Sequence, residues 1–148
     1  MTIQRAIVFG TLVVGGLDAL DAMVFFGLRG ATPTRIFQSI AAGLLGRSAF
    51  SGGFSTAALG VALHFFIACM LVVTYLAASR YIDMLTRVPI WSGLAYGVAV
   101  YLFMNLVVVP LSAAGRAPFS WPVTINGVLI HMLGVGLPSS LFAKAASR

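Results

Sequence analysis

Apolar residues run almost unbroken through four segments of this chain, about 7–26, 54–78, 90–109 and 123–143, while charged residues collect mostly between them. Each run has roughly the 20 residues a helix needs to cross about 30 Å of hydrocarbon. A shorter stretch, Arg35–Gly46, carries a different pattern: Ile36, Phe37, Ile40, Ala41, Leu44 and Leu45 recur at helical spacing. Gln38 interrupts it, and Arg47 and Ser51-Gly52-Gly53 follow. That segment predicts a short helix lying at the interface, or alternatively a re-entrant piece lining a site. Trp91 opens the third run and Trp121 just precedes the fourth, where interfacial aromatics belong. The expected fold is an all-α integral membrane protein, a single domain over 1–148 built as a four-transmembrane-helix bundle.

Composition supports that class. Of 148 residues, 60% are hydrophobic and only 8% charged, against about 25% charged in a soluble domain. A formal charge of +6 raises the question of nucleic acid, but the nine basic residues are scattered in ones and twos at span ends. Without a basic stripe, nucleic acid is not an expected partner; the lipid bilayer is. Cys69 is the lone cysteine and sits inside a span, so it forms no internal disulfide. The start, Arg5 followed by an apolar run, resembles a signal peptide. Two aspartates in that run and the lack of a small-x-small cleavage site make it a retained helix instead.

Four spans bring both termini to one side. Arg5, Arg80, Arg87, Lys144 and Arg148 lie there, facing Arg29, Arg35, Arg47 and Arg116 at the other end. Five against four favours termini-in.

Two of the three carboxylates, Asp18 and Asp21, fall inside the first apolar run. An ionised Asp near mid-bilayer costs about 2.5–3.5 kcal/mol on insertion scales, so both are expected to face the bundle interior. Taking the end of the first span as the far side, and about 1.5 Å per residue, Asp21 lies roughly 8 Å and Asp18 roughly 13 Å below that face. The same count puts Asn126 at roughly 5 Å, Asn105 at roughly 7 Å, His131 at roughly 13 Å and His64 at roughly 15 Å. Six polar groups from four helices thus share one half of the bilayer, and the reading places none in the other. Gly93, Gly97, Tyr101 and Asn105 form one line on the third helix, and small residues flank each histidine. Such residues permit close helix approach or leave room for a ligand.

Gly60-Val61-Ala62-Leu63-His64 and Gly127-Val128-Leu129-Ile130-His131 match at three positions. Duplication of a two-helix unit would relate them by a pseudo-two-fold axis along the membrane normal.

Asp18, Asp21, His64 and His131 are the candidate site, with Tyr101, Asn105 and Asn126 as supporting polar groups. Imidazole and carboxylate together suit a divalent metal such as Zn, Mn or Fe. Asp/His chains equally suit a proton or cation pathway. Bis-histidine ligation of haem b ranks behind both, because it leaves the aspartates unexplained. A reading of a different class is an accessory subunit packed in a larger membrane complex or a homo-oligomer, contributing contacts and no chemistry. No nucleophile elbow surrounds Ser120, Ser139 or Ser140, and Gly15-Gly16 and Gly52-Gly53 are too short to cradle a phosphate, so enzymatic activity is not favoured.

The runs Arg35–Gly46, Leu63–Ala68 and Met104–Ser112 resemble a family of uncharacterised small four-span bacterial inner-membrane proteins. The topology is also similar, more loosely, to the longer YagU-type inner-membrane proteins. These resemblances imply the fold and an inner-membrane location, and carry no functional residues.

Overall fold

The computed structural model describes residues 1–147; Arg148, counted above among the basic residues of the termini side, lies outside them. Four helices are long and apolar enough to span a membrane: α1 (Ile3–Gly27), α3 (Gly53–Ala78), α5 (Pro89–Leu111) and α6 (Trp121–Ala146). Between them lie α2 (Pro33–Leu45), a 3-10 turn over Gly46–Ser51, and the single turn α4 (Met84–Arg87). The fold is the all-α four-span bundle that the apolar runs predict, with the spans extended by one to four residues at one or both ends.

Local signals account for the boundaries. The Thr2 hydroxyl accepts from the Arg5 amide at 3.3 Å, and Thr32 does the same for Arg35 at 3.2 Å just before Pro33. Both satisfy amides that a helix start leaves without partners. Gly46 and Gly53 adopt φ of +61° and +58°, a backbone region that side chains disfavour, and so turn the chain out of α2 and into α3.

Two spans are not uniformly α-helical. Wider π turns occupy Met104–Val108 in α5 and His131–Gly136 in α6. Each ends just ahead of a proline, Pro110 and Pro138. Proline has no N–H for the carbonyl four residues back and its ring crowds that carbonyl, so the turn opens there.

α6 packs against all three other spans, and α1 packs on both α3 and α6. The core between them holds Val14, Val72, Tyr75, Val100 and Val135, all nearly inaccessible. α5 and α6 meet backbone to backbone. A Cβ at Gly97 would overlap the His131 carbonyl, and one at Gly136 would overlap Gly93. This is small-residue packing of the kind that lets membrane helices approach closely. Outward positions such as Val8, Leu12, Phe66, Leu106 and Leu129 are large, apolar and exposed, the inverse of a soluble protein.

α2 lies across the far end of the bundle. Its Phe37 backbone fills the space at Gly60, seven residues into α3 and roughly 10 Å along its axis. At its other end the Gly43 carbonyl accepts from the Ala113 amide at 3.0 Å, just past α5. Gln38 is buried and donates to the Gly53 carbonyl at 3.0 Å and to Thr56 Oγ1 at 3.3 Å. α2 is one unbroken helix.

Candidate functional site

α1 positions both aspartates, but toward different neighbours. Residues three apart on a helix are splayed by about 60°, and α1 sits between α3 and α6. Asp18 therefore reaches α3, where its Oδ2 lies 3.9 Å from His64 Nδ1. Asp21 reaches α6, where its Oδ2 accepts from Asn126 Nδ2 at 2.7 Å.

The other nitrogen of His64 decides the chemistry of the first pair. Nε2 lies 2.8 Å from the Gly15 carbonyl oxygen. A carbonyl only accepts, so Nε2 carries the hydrogen. Gly15 makes this approach possible: a Cβ there would meet the Phe65 ring, which stands edge-on to His64 at 5.4 Å between centroids. Phe37 of α2 closes the other side at 6.3 Å. His64 is thus buried against aromatic walls, while the Asp18 side chain remains 28% exposed. In a neutral imidazole with hydrogen on Nε2, Nδ1 presents a lone pair. Nδ1 lies 3.9 Å from the Asp18 carboxylate oxygen, beyond direct hydrogen-bond distance, so the two form an ion pair only when the imidazole is protonated.

His131 is placed differently from His64. Its Nδ1 donates to the Gly127 carbonyl of its own helix at 2.8 Å, and its ring packs edge-on against Tyr101 at 5.5 Å. The Tyr101 ring occupies the space where Gly127 lacks a Cβ, just as Phe37 occupies the space at Gly60. Both glycines therefore serve close packing rather than leaving room for a ligand. The hydrogen bonds of the two histidines are unlike, one between helices and one within a helix.

The four candidate residues accordingly do not form one set. Asp18 pairs with His64 and Asp21 with Asn126, whereas His131 sits with Tyr101. Among the described residues, no group of three or more His, Cys, Asp or Glu is arranged to hold a metal ion. His64 Nε2, a ligating atom in a bis-histidine haem site, is already committed to Gly15.

Asn105 departs from its expected place. Gly93 and Gly97 face inward and Tyr101 is half-buried, but Asn105 is exposed and donates to the Tyr101 carbonyl at 3.0 Å. It lies in the first residues of the π turn over Met104–Val108.

Polar groups also occupy the half of the bundle nearer the termini, contrary to the one-sided distribution read from Asp, His and Asn. Tyr75 Oη lies 2.8 Å from Ser92 Oγ and 3.0 Å from the Leu85 carbonyl, with one hydrogen to donate between them, and Tyr96 Oη donates to the Leu71 carbonyl at 2.8 Å. Ser139 and Ser140 are fully buried nearby in α6. Thr11, on the α1 face that also bears Asp18, has a buried hydroxyl with no hydrogen-bond partner among the described residues. Hydroxyls in apolar runs carry no periodic signal of their own, which is why the sequence alone passes over them.

No family model, curated protein or solved structure matches the chain.

Proposed function

We propose that this is a proton-binding membrane protein, with one proton held between Asp18 and His64. The observation that supports it is the Gly15 carbonyl, which ties the hydrogen to Nε2 and leaves Nδ1 as the free ring nitrogen, 3.9 Å from the carboxylate. Intramembrane Asp/His pairs are the usual parts of proton relays. Asp21 and Asn126, nearer the far end, form the polar approach to the pair. The same donor geometry counts against a divalent cation or haem b at these residues. The membrane is taken to be a bacterial inner membrane with the termini on the cytoplasmic side, following the basic residues.

Histidine-resolved ¹⁵N NMR across a pH titration, in lipid nanodiscs, tests this reading. The expected result is that the His64 Nδ1 signal responds to pH and to Asp18→Asn while Nε2 stays protonated, and that Asp18→Asn leaves the His131 signals unchanged. A His64 resonance that ignores both pH and Asp18→Asn would overturn it. The accessory-subunit reading would then take its place.

A further inference from the structure

At the opposite end of the molecule, among the span ends on the termini side, lies a cavity of about 460 Å³. Arg80 and Arg87 line it together with Asp83, Ser79, Thr86 and Ser147. None of these belongs to the Asp18–His64 pair, and none lies in the middle of a span.

The lining sorts into spent and available donors. Ser79 Oγ donates to the Leu76 carbonyl at 2.8 Å, Thr86 Oγ1 to the Asp83 carbonyl at 3.1 Å and Ser147 Oγ to the Lys144 carbonyl at 2.9 Å. Their hydroxyl hydrogens are therefore used locally. Donor capacity in the cavity rests on the two guanidinium groups. Arg87 shares one nitrogen with Asp83 at 3.6 Å, a long and highly exposed pair that contributes little. Arg80 has no acidic partner among the described residues. The ends of α3 and α6 point their carbonyls toward this region, but the starts of α1 and α5 point amides toward it, so helix dipoles oppose one another here. Two arginines against one aspartate set the sign.

A second feature identifies the source of the anion. The α3–α5 connection that carries Arg80 and Arg87 also exposes Tyr81, Ile82 and Met84, by 90%, 49% and 63%. Large apolar side chains beside arginines, at the level where four spans end, match a molecule with a charged head and apolar chains. Arginine's planar fork suits phosphate oxygens, and basic residues next to span ends attract anionic lipid surfaces.

We propose that this cavity binds the phosphate of an anionic phospholipid headgroup, with Arg80 and Arg87 as the phosphate donors and Tyr81, Ile82 and Met84 against the acyl chains. The test is native mass spectrometry of detergent-purified protein titrated with phosphatidylglycerol, phosphatidylcholine and inorganic phosphate. Phosphatidylglycerol should be retained best. Retention should fall about tenfold, equivalent to ~1.4 kcal/mol, in Arg80→Gln/Arg87→Gln, and stay unchanged in the opposite-end control Arg29→Gln/Arg116→Gln. Arg80→Lys/Arg87→Lys keeps the charge without the fork and should bind more weakly than wild type. It also serves if the glutamine pair fails to fold. Equal loss in the opposite-end control overturns the assignment. Wild-type retention in either cavity variant also overturns it. Saturation by inorganic phosphate alone, displacing the lipid, assigns the cavity to a free anion instead.

Discussion

The Gly15 carbonyl and His64 Nε2 meet at 2.8 Å across the α1–α3 interface, one helix's backbone fixing the tautomer of another's side chain. Bringing a polar backbone group within reach requires that α1 have no side chain at that point. The hydrogen bond leaves the opposite ring nitrogen 3.9 Å from Asp18 Oδ2.

His64→Leu leaves Asp18 in the bundle without its partner and Gly15 without its donor. The expected loss is ~2 kcal/mol of stability, below the cost of a fully buried orphan because Asp18 is part-exposed. Asp18→Asn should cost less, since an amide N–H can donate to the Nδ1 lone pair. Reversible unfolding in mixed detergent micelles measures both, and equal losses would show that the pair is not the coupling unit.

The two asparagines separate cleanly. Asn126→Leu removes a charge-assisted bond to Asp21, and should cost about 1.5–3 kcal/mol, above the ~0.6 kcal/mol average of interhelical hydrogen bonds in membranes. Asn105→Leu removes only a bond to its own helix from an exposed position, and should fall within ~0.5 kcal/mol of wild type. The same unfolding assay ranks them; a reversed order would contradict the placement of Asn105.

Gly97→Ala forces a methyl group into the His131 carbonyl, so α5 and α6 must part. Overpacking of this kind costs about 1–3 kcal/mol. Gly16→Ala is the control, because no atom lies within 4 Å of its added Cβ. Thermal melts should show a clear drop for Gly97→Ala and none for Gly16→Ala.

Gln38 ties α2 to the start of α3 by side-chain bonds to Gly53 and Thr56. Gln38→Leu leaves their oxygens with fewer donors and removes the polar attachment. Hydrogen exchange of the α2 amides should accelerate while α3 below Gly60 stays protected. Unchanged exchange in α2 would mean that the apolar contacts of Ala41 and Ala42 with the 3-10 turn hold it alone.

The number of spans, their approximate limits and the presence of an amphipathic helix were legible in the sequence. Hydrocarbon thickness and helical rise turn run length directly into span count, and that arithmetic needs no tertiary information. The inward direction of Asp18, Asp21 and His64 was legible for a related reason: lipid excludes such groups, so burial follows from type. The partners were not legible. Whether Asp21 meets His131 or Asn126 depends on which helix lies on each side of α1, and the roughly 60° between Asp18 and Asp21 only acquires meaning once α3 and α6 are in place. Asn105 is exposed although it follows Gly93, Gly97 and Tyr101 at helical spacing, because spacing gives a shared face and not how far along it a neighbouring helix covers that face. The glycines beside the histidines read as either contact or cavity, and only the packed Phe37 and Tyr101 decided for contact. Chemical type fixes what must be buried; the choice among buried neighbours belongs to the packed bundle, because many helix arrangements satisfy lipid equally and only close packing discriminates among them.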